Sequence, residues 1–369
     1  MTDDVSTRPS EPTGTPVGDT APLQPSTATD GNGVGPSDGP RDGAGPGDGE
    51  ADVLKRGFTW SVWLAENGIF VFTLVLITAA AIFVDGFLSV ENFVSVFHRS
   101  ATIGIVAVGM TFVVISGNYL DLSVVAQVAT AGVVLMAFSP VYGIPAAMGI
   151  ALALAFVYGL INGVAVGYFK ANAVIVTLAT TSIGVGLLRF LSGGTIFFGA
   201  NDTLIYTFGR TRVGIIPLSA LLFIAVTLAF AFLLTRTNFG FLIRSFGSSK
   251  SVTRLAGAQT GRVVVGAFLA SAFGAMLAGF VQAAFVNQAV SSMAEGYEFR
   301  ALAAIIIGGT SVFGGRGSVL RTFLGVIFVS VLANVLVLLG TPFPWQQVAL
   351  GAMILLAVSV DALARKAGA

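Results

Sequence analysis

From Gly68 to the C-terminus the chain alternates long apolar runs with short breaks at Gly, Pro and Asn. Runs of roughly 20 residues cross a hydrocarbon layer about 30 Å thick as helices, because only an internally bonded backbone survives there without water. The pattern predicts ten spans: 68 to 87, 100 to 116, 120 to 138, 144 to 169, 173 to 191, 214 to 235, 263 to 284, 300 to 313, 318 to 340 and 345 to 363. The shortest, the second and the eighth, end in Gly117 and Gly314 and predict broken or re-entrant helices. The expected fold is all-α, a polytopic membrane protein of about ten transmembrane helices over residues 67 to 366, surrounded by lipid.

Residues 1 to 66 follow no such pattern. Residues 1 to 50 hold 10 Gly and 8 Pro among Ser, Thr and Asp, too little apolar surface to offset ordering entropy, so a disordered cytoplasmic tail is expected. This acidic segment runs for dozens of residues before the first apolar run, which is not the layout of a cleaved secretory signal. The first helix is then expected to act as an uncleaved anchor.

Composition agrees with the pattern: 55% hydrophobic residues, 10% charged residues and a mean hydropathy of +0.88 lie far outside the soluble range. The net charge of +1 hides an asymmetry, because residues 1 to 66 carry 4 Lys/Arg against 11 Asp/Glu and residues 67 to 369 carry 15 against 7. Lys and Arg are retained on the cytoplasmic side of a plasma membrane. With the tail inside, 12 basic residues near span ends fall in the cytoplasm, against Arg99, Arg210, Arg212 and Arg300 in the outer loops, so both termini are expected to be cytoplasmic. The chain has no cysteine, which removes disulfides, thiolate metal sites and cysteine nucleophiles. Its single histidine, His98 beside Arg99, reads as an interfacial residue, since a metal site needs partners absent here. No cofactor and no nucleic-acid partner is expected.

Four features carry candidate chemistry. In Ile115-Ser116-Gly117-Asn118-Tyr119-Leu120-Asp121-Leu122-Ser123, a carboxylate stands between two apolar spans, where it must face donors or a cavity. Asp121 either caps the third helix or meets solute, and both can hold together. Gly308 to Gly317 places Thr310, Ser311 and Phe313 in a glycine-broken kink. Gly309 and Gly314 have phosphate-loop spacing, but Gly315-Arg316 follows where that loop needs Lys and Ser or Thr, so ATP does not bind here. The kink reads either as close helix packing through small residues or as part of a permeation path. Between Arg236 and Arg262, Phe239, Leu242, Ile243 and Phe246 recur at helical spacing beside Arg244, predicting an amphipathic helix, with a second over Ser251 to Ala256 ending at Gly257. Such helices lie on lipid or dock into a partner. Isolated polar residues inside spans, Gln127, Asn162, Thr177, Thr180, Gln282 and Asn334, serve packing or touch a neutral solute.

These residues resemble the membrane-spanning permease subunit of bacterial ABC importers for monosaccharides, the ribose, xylose, arabinose and galactose group. The similarity runs over about residues 66 to 366. It rests on Leu120-Asp121-Leu122-Ser123-Val124, Gly159-Leu160-Ile161-Asn162-Gly163, Thr177-Leu178-Ala179-Thr180, the Arg236 to Arg262 loop, Ile307-Gly308-Gly309-Thr310-Ser311 and Gly314-Gly315-Arg316-Gly317. The sequence departs from the family pattern at Asn118 and Tyr119, which intrude before Leu120, at Val125, and at Asn172-Ala173.

The resemblance implies a dimer of permease subunits, identical or not, two cytoplasmic ABC ATPase subunits and an extracellular or periplasmic sugar-binding protein. It places Arg244, Gly247, Arg254, Ala256, Gly257 and Arg262 in an ATPase-coupling loop. It places Asn118, Asp121, Ser123, Asn162, Thr177, Thr310, Ser311, Phe313 and Asn334 along a substrate pathway. The chain itself would perform no covalent chemistry. Rival readings are a permease of the same superfamily for branched-chain amino acids, nucleosides or a furanosyl signalling molecule, and an ion-coupled secondary transporter. The secondary transporter lacks the buried ionisable groups such carriers use, apart from Asp121. An intramembrane enzyme lacks a nucleophile with its base, or a metal cluster.

Overall fold

The computed structural model describes residues 60–117 and 120–367, with side chains from 68 to 117 and from 120 to 359. The expected tail therefore lies almost wholly outside the described residues, as does Asn118. Thirteen helices follow in chain order: α1 (Trp60–Phe83), α2 (Val90–Ile115), α3 (Val124–Tyr142), α4 (Ile144–Gly167), α5 (Ala173–Ser192), α6 (Leu204–Arg210), α7 (Leu218–Arg236), α8 (Asn238–Ser248), α9 (Lys250–Leu255), α10 (Thr260–Val286), α11 (Tyr297–Ile307), α12 (Val319–Leu338) and α13 (Phe343–Ala367). Seven of these, α2, α3, α4, α5, α7, α10 and α12, are long and apolar enough to cross a membrane. Sheet among the described residues is confined to two-residue pairs, of which Phe197–Phe198 against Gln288–Ala289 ties the segment after α5 to the end of α10.

Helix α10 is the axis of the bundle, packed against α2, α3 and α4. Small residues let the backbones approach. Gly159, Gly163 and Gly167 line one face of α4 at a spacing of four, and a Cβ on Gly163 would stand 2.6 Å from Val265 Cα of α10. On the α2 side, a Cβ on Gly109 would stand 3.3 Å from Gly274 Cα. Between apolar helices in lipid there is little hydrophobic drive to associate, so this close packing is the main source of contact energy.

Helix α2 departs from the expected second span. It is continuous over 26 residues and starts ten residues earlier than the apolar run, because Ser89 caps it by accepting from Asn92 N–H (3.3 Å) and Glu91 complements its first turn. Glu91, Asn92, His98 and Arg99 lower the local hydropathy but not the helicity. His98 is buried between helices: its Nδ1 lies 2.7 Å from Ser219 Oγ and its ring stacks on Phe285 at 4.0 Å. The eighth span behaves as the glycines predict. Helix α11 has 11 residues, about 16 Å of rise, and cannot cross alone. Irregular backbone follows it from 308 to 318.

Candidate functional site

Two irregular segments, 116–117 with 120–123 after α2 and 308–318 after α11, carry Asp121, Ser123, Thr310 and Ser311. In the first, Asp121 is fully buried. Its Oδ1 accepts from Ser123 N–H (3.1 Å) and from the Ser123 hydroxyl, and its Oδ2 accepts from Ser271 of α10 (2.7 Å). Ser123 Oγ also accepts from Gln127 Nε2 (2.6 Å) and from Asn162 Nδ2 of α4 (2.8 Å), which uses its one donor and both lone pairs. Asn162 Oδ1 accepts in turn from Thr180 of α5 (2.7 Å), and Thr181 of α5 donates to Leu122 O (2.8 Å).

One carboxylate thereby holds α3, α4, α5 and α10 together through a chain of hydrogen bonds. Asp121 does not cap α3 in the expected way, because the N-cap is Ser123 and the carboxylate takes Ser123's own N–H. Thr177 is buried beside this network and donates back to Ala173 O at 2.8 Å. Asn334 stands apart on α12, exchanging amide hydrogen bonds with Asn92 at 2.7 and 3.1 Å.

The second segment meets the first through glycines. Gly315 N–H donates to Ile115 O at 2.8 Å, and a Cβ on Gly314 (φ +89°) would stand 2.6 Å from Gly117 Cα. Helix α8 closes the junction. A Cβ on its Gly247 would overlap Ile115 O and stand 2.5 Å from Gly315 N, and Ser248 packs on Gly315. Lys250 Nζ donates to Gly117 O at 3.4 Å. Three chain segments thus touch main chain to main chain at one point. Thr310 and Ser311 are buried behind it, with Ser311 N–H donating to Arg316 O at 3.0 Å, and Phe313 is half exposed.

The loop between α7 and α10 forms two helices, each with a side-chain N-cap: Thr237 for α8 and Ser249 for α9. The apolar face of α8 turns inward, burying Ile243 and Phe246 in the core and stacking Phe239 on Phe112 at 6.1 Å. Phe241, Val252 and Leu255 are left exposed beside Arg254, Ala256, Gly257 and Arg262, while Arg244 and Gly247 are partly covered. Gly257 supplies the left-handed residue (φ +80°) that ends α9. A cavity of about 220 Å³ next to this face is lined by Lys170, Lys250, Arg254, Asn172 and Gly117. Partial burial, then the charges of Arg254 and Lys250, lower the pKa of Lys170. Lys170 and Asn172 are functional candidates that sequence reasoning left out of the site, although Lys170 falls on the same side as Arg254 in the charge pattern.

The chain is 31% identical over 314 residues to the ribose import permease protein of Escherichia coli strain K12, covering 83% of this chain and 96% of that one. It is 32% identical to the ribose import permease protein of Bacillus subtilis strain 168 (81% and 93% covered) and 31% identical to the L-arabinose transport system permease protein of Escherichia coli strain K12 (85% and 95% covered). No solved structure matches it. The family model "Branched-chain amino acid transport system / permease component" matches residues 92–358, which takes in both irregular segments, α8 and α9, and the chain belongs to that family of transport permeases.

Proposed function

We propose that the chain is the membrane-spanning permease subunit of an ATP-binding-cassette importer that takes a monosaccharide, a pentose or hexose, into the cell. Its relatives are named as ribose and arabinose permeases, and neutral hydroxyls and amides dominate its buried polar residues. It carries no chemistry of its own. ATP hydrolysis belongs to cytoplasmic ATPase subunits, sugar delivery to a binding protein outside, and a second permease subunit completes the pore. Both termini lie in the cytoplasm of this arrangement, on the side of α8 and α9.

The observation that carries the reading is the glycine junction. Helices α8 and α9 present an exposed face that is both apolar and basic, and the last turn of α8 is wedged against both irregular segments. An ATPase gripping Arg254, Leu255 and Gly257 would move α8 as a lever, and Gly247 would pass that movement to Gly117 and Gly315. Between the irregular segments, Asp121, Ser123, Asn162 and Thr177 form the rigid side of the pathway. Thr310, Ser311 and Phe313 form its moving side. The family model's own description favours a second reading, a branched-chain amino acid as solute.

Copurification tests the partner assignment. The tagged chain is expected to bring down an ATPase subunit, and Arg254→Glu, which reverses an exposed charge on α9, is expected to lose at least about ninefold of it, since charge reversal at a docking surface puts like charges together. Equal recovery with both chains contradicts the docking role.

A further inference from the structure

At the end of the bundle opposite α8 and α9, the last turns of α2's partner α10 and of α12 enclose a cavity of about 410 Å³ with α11 and the start of α13. Of the isolated polar span residues singled out from sequence, Gln282 lines it, and Asp121, Ser123, Asn162, Thr310 and Ser311 do not. Its volume falls in the range of about 300–1,000 Å³ typical of small-molecule sites. One wall is apolar, formed by Ile103, Val329, Leu336, Phe343 and Leu350. The other is polar, with Arg99, Gln282, Glu295, Arg300, Gln346 and Gln347 converging from five segments.

Three observations define the ligand class. The polar wall mixes donors and acceptors: two guanidinium groups, one carboxylate and three amides, which suits hydroxyls that both give and accept hydrogen bonds. Glu295 stands among the two arginines and the amides, so the wall offers acceptors as well as donors and is not purely cationic. Ser330 also lines the cavity, is only 4% exposed, and its Oγ has no hydrogen-bond partner. A buried hydroxyl left without a partner has lost its bonds to water with nothing in return, a deficit that a ligand hydroxyl removes.

We propose that this cavity is a binding site for a neutral monosaccharide within a single permease subunit, held between α10, α11, α12 and the start of α13, where sugar pauses before the glycine junction opens. The inference rests on the sugar-importer reading. It adds that the permease itself recognises the sugar, through Ser330, Arg300 and Glu295.

The test uses the assembled permease and ATPase in nanodiscs, without binding protein, and saturation-transfer NMR with D-ribose, L-arabinose, D-xylose and D-galactose. The sugar that the complete system takes up is expected to give a signal, reduced at least fivefold by Ser330→Phe, which fills the cavity, and by Arg300→Gln, which keeps its shape. Retained ATPase activity and elution volume establish that both variants fold. A signal unchanged in both folded variants, or no signal with the sugar that the complete system transports, overturns the inference and leaves the importer reading standing. A phospholipid retained by the parent chain and lost from both variants, with no sugar signal, also overturns it and assigns the cavity to lipid. If the complete system takes up none of the four sugars, the importer reading and the inference fall together.

Discussion

Gly247→Ala is expected to lower ATP-driven uptake by about tenfold or more, the effect of an overpacking cost of about 1–3 kcal/mol placed on the moving joint. The added methyl would meet Ile115 O and Gly315 N, and both are main-chain atoms that cannot rotate away. Helix α8 must therefore lift off the two irregular segments, which leaves the ATPase docked on a lever that no longer touches its load. ATPase copurification should survive, because the exposed face of α9 is unaltered. Gly149→Ala on α4 is the control: no atom lies within 4 Å of its Cβ position, and alanine is the better helix former there by about 1 kcal/mol. Uptake assays on the three chains decide the matter, and normal uptake by Gly247→Ala would remove the junction from the mechanism.

Asp121→Leu is expected to destabilise the folded chain by about 2–5 kcal/mol, because it strands buried donors that cost about 1–3 kcal/mol each. Ser123 N–H and Ser271 Oγ lose their acceptor at once, and Ser123 Oγ loses the bond that orients it toward Asn162 and Gln127. Asp121→Asn keeps one acceptor oxygen and should recover much of that loss. Thermal unfolding in nanodiscs reads the stability, and uptake read beside it separates two roles. If Asp121 acts only as a tie between helices, uptake in both variants should follow the folded fraction. A native melting temperature for Asp121→Leu would contradict the network account. A well-folded Asp121→Asn without uptake would instead assign the carboxylate to solute.

Much of the architecture is legible in the sequence, because lipid removes alternatives: an apolar run of about 20 residues has few options other than a helix. A break in the eighth span and the pair of helices ending at Gly257 could be read in the same way, from glycine positions and spacing, although α11 already stops at Ile307 and not before Gly314. The first ten residues of α2 could not. Glu91, Asn92, His98 and Arg99 look like a loop to any hydropathy argument, yet His98 and Asn92 find partners on α7 and α12 far along the chain.

The candidate site follows the same division. Which residues are polar at membrane depth is written in the sequence. What they bond to depends on which helices become neighbours. Ser271, which completes the Asp121 network from 150 residues away, has no local signal at all. Arg99 and Arg300 read singly as outer-end charges, and only the fold gathers them with Glu295 around one cavity. Gly117, Gly247 and Gly315 stand out in the sequence only separately, as a span end, a coupling-loop residue and part of a kink, and their contacts join them in one junction.

The central claim is that solute moves through this chain while the energy arrives from another. Uptake of radiolabelled D-ribose, L-arabinose, D-xylose and D-galactose into proteoliposomes tests it, comparing the chain alone with the chain plus its ATPase subunits and sugar-binding protein. The account predicts uptake of at least one of these sugars only by the complete set and only with ATP. Uptake by the chain alone, driven by an ion gradient, would contradict it.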